Sequence, residues 1–191
     1  LIVRAGAGYN TIDVAGASTR GIYVSNCPGK NAIAVAELAF GLMLSLDRRI
    51  PDNVTDLRAG AWNKKEYSKA RGVHGRTLGL LGFGSIGQEM ARRAHGFGMP
   101  VLVWSRRFET SGKAALDALP PDLHVTIVRS PEELAERSDV VSVHLALTPE
   151  TKHFVDRDML NRMKPGAVFI NTAREEVVDQ TALIEAVKTR G

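Results

Sequence analysis

The sequence predicts an α/β fold: a doubly wound parallel sheet with helices on both faces. Three observations carry that expectation. From Thr77 onward, short apolar runs alternate with segments of helical periodicity. The runs are continuously apolar, as strands buried on both faces are. The first of them, Leu78–Leu81, feeds directly into Gly82-Phe83-Gly84-Ser85-Ile86-Gly87, and a helical pattern follows.

Residues 1–30 are turn-rich, punctuated by Gly6, Gly8, Gly21, Pro28 and Gly29. Leu1–Arg4 reads as the end of a buried strand. A long helix is expected from Asn31. Between 32 and 46 it has almost no polar face, which predicts burial on all sides, between domains or between subunits. Pro51 either breaks it or opens a second helix, whose stripe is Ile50, Val54 and Leu57 and whose end is Gly60. Strands are predicted at Leu78–Leu81, Val101–Trp104, Val125–Val128, Val140–Leu145 and Ala167–Asn171. The helix after Gly87 carries Ile86, Met90, Ala94 and Phe97 on one face. Another begins at Ser130-Pro131-Glu132-Glu133, a capping-box pattern with proline at the first helical position. Two more are expected at about Asp156–Met163 and from Asp179. Segment 109–124, with Pro120-Pro121, reads as a loop.

Composition bounds the function. The chain has 191 residues, 44% hydrophobic and 24% charged, enough apolar sequence for a core. No apolar run approaches a membrane span and no signal peptide is visible, so neither a membrane nor nucleic acid is an expected partner, and the cytoplasm is the expected location. The cluster Lys64, Lys65, Lys69, Arg71 and Arg76 lacks interleaved aromatics and reads as a solvated face. One cysteine, Cys27, excludes an intrachain disulfide and a cysteine-rich metal site, and no metal is expected. Without an initiator Met, the sequence reads as an internal piece of a longer chain.

The glycine loop has a definite chemistry. In a strand–loop–helix setting the first glycine, Gly82, allows a tight turn. The second, Gly84, lets backbone approach a pyrophosphate, and the third, Gly87, lets helix pack on strand. The N–H groups of Ser85 and Ile86 then face the phosphates. This is the Rossmann dinucleotide site. About twenty residues on, such sites carry a carboxylate for the ribose hydroxyls. Here the sequence is Ser105-Arg106-Arg107. Serine and arginines can bond and pair with a 2′-phosphate, so NADP is favoured over NAD.

Several spaced motifs then fall in order. Arg4-Ala5-Gly6-Ala7-Gly8 through Asp13, Asn26-Cys27-Pro28 with Asn31 through Leu38, His144-Leu145 with Thr148–Thr151, and Asn171-Thr172-Ala173-Arg174 with Val177–Asp179 flank the glycine loop. Together they resemble the D-isomer-specific 2-hydroxyacid dehydrogenases over nearly the whole chain, and most of all the 3-phosphoglycerate dehydrogenase branch. The resemblance implies hydride transfer between NAD(P), with NAD the family default, and C2 of a D-2-hydroxy acid. It implies that Arg174 is the catalytic arginine holding the substrate carboxylate and carbonyl, with Ala7 and Gly8 beside the substrate. It implies a cofactor held by Ala7, Gly82, Gly84, Ser85, Ile86, Gly87, Ser105, Arg106, Arg107, Leu145, Thr172, Ala173 and Arg174. Residues 1–75 become a remnant of the substrate domain with an interdomain helix and dimer arm, Trp62 its anchor. Residues 76–191 become the dinucleotide-binding domain. A homodimer and a small 2-hydroxy or 2-oxo acid are the implied partners.

The family's acid/base glutamate and histidine, and a sixth strand, would come after Gly191. The expectation is therefore that these 191 residues bind dinucleotide with little turnover and leave an apolar sheet edge. His144 sits at the adenosine side and reads as structural. The substrate stays open. Residues 1–100 lean toward 3-phosphoglycerate, the first expectation and the substrate of a step of serine biosynthesis, while Ser105–Arg107 is more like the NADP-using glyoxylate and hydroxypyruvate reductases. A dinucleotide-sensing co-repressor is the reading from another class.

Overall fold

A computed structural model describes residues 1–108 and 119–190. Its elements are β1 (Ile2–Val3), α1 (Val14–Thr19), β2 (Val24–Ser25), α2 (Ala32–Arg48), α3 (Ile50–Arg58), α4 (Lys64–Tyr67), β3 (Leu78–Leu81), α5 (Ser85–Gly96), β4 (Val101–Trp104), β5 (Thr126–Ile127), α6 (Pro131–Arg137), β6 (Val140–Val143), α7 (Arg157–Arg162), β7 (Val168–Asn171) and α8 (Gln180–Arg190). Strands β3 to β7 form one parallel sheet in the order β5-β4-β3-β6-β7. The chain winds outward from β3 in one direction through β4 and β5, then returns to β6 on its other side. That reversal opens a crevice beyond the carboxyl end of β3.

The strands alternate their side chains between two cores. Leu78, Leu80, Val101, Val103, Val140 and Ile170 pack with α2 and α5 through Ala36, Phe40, Met43, Met90 and Ala94. Leu81, Leu102, Trp104, Val141 and Val143 pack with α6, α7 and α8 through Leu134, Met159, Leu160 and Ala182. The predicted strands are all present, some trimmed at their ends. The cap at Ser130 acts as expected, and Asp156 caps a second helix. Ser130 Oγ accepts from the Glu133 N–H, and Asp156 Oδ1 accepts from the Met159 N–H. Glu133 reaches back to the Arg129 N–H, one residue before the capping-box partner.

Two expectations are corrected, the burial of the first strand and the solvation of Arg76. The first strand is not buried: Ile2 and Val3 are 38% and 66% exposed, because β1 has β2 as its sole strand neighbour among the described residues. With α1 between them, these strands form a small βαβ unit inside the stretch read as turns. Helix α2 is covered on one face within this chain. Its Ala36, Ala39, Phe40 and Met43 face the sheet, while Ile33, Leu38, Leu42 and Leu46 are open on the other side. The α3 stripe of Ile50, Val54 and Leu57 is likewise open. Finally, Arg76 does not belong to a solvated face. The reading of 109–124 as a loop falls largely on residues 109–118, outside those described. The edge strand β7 is partly covered, with Ile170 buried and Val168, Phe169 and Asn171 half-buried.

Arg76 ties α2 to the sheet. Its Nη1 lies 3.2 Å from Asp47 Oδ1, with side chains only 9% and 4% exposed, and its Nη2 donates to the Asp139 carbonyl. Asp47 also accepts from the Gly72 N–H. Removing one member of a buried pair strands the other charge away from water. Asp47→Ala is expected to destabilise the fold by about 3–5 kcal/mol, read by urea denaturation. A loss below about 1 kcal/mol, the size of an exposed pair, would show that the guanidinium finds water instead.

Candidate dinucleotide and substrate site

The site is built at the carboxyl ends of β3, β4, β6 and β7. Gly82 ends β3 with φ +97°, a region that side chains rarely adopt, and a Cβ there would sit 2.7 Å from the His144 carbonyl oxygen. A Cβ on Gly87 would sit 2.6 Å from the Gly82 oxygen, so this glycine lets α5 start against the strand. Gly84 differs. A Cβ there meets nothing within 4 Å, and its backbone is ordinary at φ −81°. Space is open on that side of the loop. Gly84 is the N-cap of α5 and offers no side-chain acceptor, so the first N–H groups of the helix point out unpaired by the helix itself.

Across the crevice, β6 delivers His144, Leu145, Ala146 and Leu147, and β7 delivers Thr172, Ala173 and Arg174. Ala7, Gly8, Tyr9, Asn10 and Asn31 close the remaining side, with Val35 and Ile86, around a cavity of about 430 Å³. Two buried polar atoms at this cavity have no partner among the described residues: Thr172 Oγ1 and His144 Nδ1. The other ring nitrogen of His144 lies 2.9 Å from Ser142 Oγ. Burial pushes the imidazole down to about 4, so it is neutral at physiological pH. Orphaned polar atoms, free helical N–H groups and an unfilled approach at Gly84 are what a bound dinucleotide would use.

Arg174 is positioned by its turn. Asn171 Oδ1 accepts from the Ala173 N–H at 2.9 Å, and its Nδ2 donates to the Arg174 carbonyl at 3.0 Å. The guanidinium donates to Asn10 Oδ1 at 3.1 Å and to the Ala173 carbonyl at 3.3 Å. It crosses close over Gly8, where a Cβ would collide with Nη2. The Gly6–Gly8 turn is itself held by Asn26 Nδ2 on the Ala7 carbonyl and Arg4 Nε on the Gly8 carbonyl. Residues 164 positions apart thus meet at one rim.

Ser105 follows β4, whose Trp104 is level with Leu81, and the Gly82 N–H donates to the Trp104 carbonyl at 2.9 Å. Ser105 is half-buried beside the glycine loop, while Arg106 and Arg107 are exposed. Arg106 Nη1 lies 4.0 Å from Glu150 Oε2. The structure therefore places the predicted residues in two groups. Gly82–Gly87 and Ser105–Arg107 follow the carboxyl ends of the neighbouring strands β3 and β4. Ala7, Gly8, Leu145, Thr172, Ala173 and Arg174 gather at the cavity, which Ile86 also reaches. Sequence reasoning missed Tyr9 and Asn10, whose turn gives no chemical signal, and Glu150, which was read only as part of a loop motif.

A family model for the NAD-binding domain of D-isomer specific 2-hydroxyacid dehydrogenases matches residues 40–191. A glyoxylate reductase of Thermococcus litoralis is 41% identical over 98% of this chain and 56% of its own length. A hydroxypyruvate reductase of Thermotoga maritima is 42% identical over 98% and 57%. A D-3-phosphoglycerate dehydrogenase of Methanocaldococcus jannaschii is 37% identical over 98% and 34%. The chain thus spans about half, or less, of the length of these relatives. Among solved structures, a phosphoglycerate oxidoreductase of Vibrio cholerae superposes with a TM-score of 0.83 at 35% identity, covering all of this chain and 59% of that one. An NAD-dependent formate dehydrogenase of Staphylococcus aureus, in complex with NAD, superposes at 0.81 and 32% identity, covering 98% and 54%. The glycine loop, the crevice and these likenesses agree: this chain belongs to the D-isomer specific 2-hydroxyacid dehydrogenase family and carries its NAD-binding domain.

Proposed function

We propose that this chain is the cofactor-binding part of an oxidoreductase that reduces a small 2-oxo acid, of the glyoxylate or hydroxypyruvate kind, with NADPH. The observation that carries the reading is Arg174. Among the described residues it is the one cationic side chain lining the cavity between the glycine loop and β7. A planar guanidinium grips a carboxylate through two parallel bonds and stabilises charge growing on a neighbouring carbonyl oxygen. Ala7 and Gly8 face the same space with small side chains, leaving room for substrate. The N–H groups of Ser85 and Ile86 hold the pyrophosphate over Gly82, Gly84 and Gly87. Leu145, Thr172, Ala173 and Arg174 line the opposite wall. Ser105, Arg106 and Arg107 meet the adenosine ribose. The bound nicotinamide supplies the hydride; the protein supplies position and charge.

The reductase reading is preferred because Ser105-Arg106-Arg107 suits NADP and because a glyoxylate and a hydroxypyruvate reductase are 41% and 42% identical to this chain. The likeness to the phosphoglycerate oxidoreductase of Vibrio cholerae supports 3-phosphoglycerate as a second reading. The two separate on the full-length protein by comparing kcat/KM for glyoxylate, hydroxypyruvate and 3-phosphohydroxypyruvate. A marked preference for the phosphorylated acid would overturn the first. Binding without turnover of any of them would favour a dinucleotide sensor.

The division at residues 75/76 goes with this reading, and so does a homodimer. The open apolar side of α2, with Ile33, Leu38, Leu42 and Leu46, continues into Val54, Leu57 and Trp62, itself 77% exposed. No helix among the described residues is long and apolar enough to cross a membrane. The cofactor preference has its own test. Ser105→Asp sets a carboxylate against the 2′-phosphate and is expected to lower the NADP-to-NAD affinity ratio about tenfold or more, read by calorimetric titration. An unchanged ratio would remove Ser105 from the ribose end.

A further inference from the structure

We propose that Glu150 tunes the choice between NAD and NADP by competing with the 2′-phosphate for the Arg106 guanidinium. The inference rests on the reading of Gly82–Gly87 and Ser105–Arg107 as the dinucleotide site. Its geometry comes from the sheet. Strand β3 lies between β4 and β6, so the segments leaving those two strands flank the glycine loop from opposite sides. One carries Ser105–Arg107. The other carries residues 144–151, and at its far end Glu150 Oε2 stands 4.0 Å from Arg106 Nη1.

The loop that presents Glu150 is well tied. Thr151 is 2% exposed, accepts from the Thr148 N–H at 2.7 Å and donates to the Ala146 carbonyl at 2.6 Å. Glu150 follows from that knot, with its carboxylate held below the usual carboxylate range by a hydrogen bond from the Thr148 side chain, by its own backbone N–H and by the charge of Arg106. It is ionised at neutral pH. The side chains of Arg106 and Glu150 are 52% and 66% exposed, and 4.0 Å is an approach of charges rather than a hydrogen bond. The pair is therefore weak and easily exchanged.

That weakness is what permits a choice. With a bare ribose diol, Arg106 keeps Glu150 as its counter-charge and Ser105 remains for the hydroxyls. With a 2′-phosphate, the guanidinium has a stronger, forked acceptor, and Glu150 must yield or repel it. A carboxylate is absent at position 105, but one reaches the same guanidinium from the neighbouring segment. Glu150 therefore lowers affinity for NADP and leaves NAD nearly untouched.

The test is calorimetric titration of the full-length protein with NAD⁺ and NADP⁺, for the native protein, Glu150→Gln, Arg106→Met and the double variant. Glutamine keeps an acceptor for Thr148, so the loop is preserved. Glu150→Gln is expected to raise the NADP-to-NAD affinity ratio about two- to fivefold, the scale of an exposed ion pair. That gain should shrink at high salt and be absent in the Arg106→Met background. An unchanged ratio, or an equal gain without Arg106, overturns the role of Glu150 alone. If the native protein binds neither dinucleotide, the reading of the site falls and the inference with it.

Discussion

Gly84→Val is expected to abolish dinucleotide binding while the protein stays folded. Gly84 is the loop glycine whose Cβ would meet nothing within 4 Å, and its backbone suits any residue at φ −81°, ψ −159°. Added carbon therefore costs the fold little beyond a poorer N-cap, about 1 kcal/mol or less. The same carbon fills the side from which a pyrophosphate must approach the N–H groups of Ser85 and Ile86. Loss of that approach should weaken binding at least about 100-fold, ~3 kcal/mol. Gly82→Ala is the opposite case. Its Cβ would press on the His144 carbonyl oxygen at 2.7 Å, at φ +97°. It should destabilise the fold by about 2–4 kcal/mol. Calorimetric titration together with thermal unfolding reads both. If Gly84→Val binds normally, the phosphates do not lie over this loop. If it unfolds, the open space beside Gly84 is occupied in solution.

The contrast between those glycines also marks what the sequence could convey. Leu78–Leu81 and Val101–Trp104 appear in the structure with the predicted ends, because short apolar runs bounded by turn signals, one of them feeding the glycine loop, read as strands buried on both faces. The cap Ser130 was legible for a similar reason: the signal is local. Strand β2, two residues long, carries no period and was lost among turn residues, while β1 was legible in Leu1–Arg4 but its exposure was not. Helix α2 is apolar on every side, and composition does not say which side the chain itself covers: it is the face of Ala36, Ala39, Phe40 and Met43. Arg76 looked like one of a basic cluster because sequence proximity does not show that Asp47, 29 residues earlier, waits beneath it. The candidate site divides the same way. The glycine loop is a local motif. The meeting of Arg174 with Gly8 and Asn10, and of Arg106 with Glu150, comes from topology that no spacing rule expresses.

In the full-length protein, Arg174→Leu is expected to lower kcat/KM about 10³-fold while dinucleotide affinity, shared among many residues of the site, falls far less. The structural share of Arg174 is small. Its guanidinium donates to Asn10 Oδ1 and the Ala173 carbonyl, and the turn beneath it is held by Asn171 through backbone groups that leucine retains. Thermal stability should therefore change by only a few degrees or less. The functional share is large because the guanidinium faces a cavity with no other cation among the described lining residues. Without it, nothing on this wall neutralises a substrate carboxylate or the charge that grows on the carbonyl oxygen. A group that binds the carboxylate equally in ground and transition states raises KM when lost; a group that also stabilises the developing oxyanion lowers kcat. Arg174 should do both. Arg174→Lys separates the contributions, since an ammonium keeps the charge and loses the planar fork. It should recover KM better than kcat. Equal recovery of both would reduce Arg174 to a point charge. A kcat/KM within tenfold of the native value for Arg174→Leu would move the substrate away from β7 altogether.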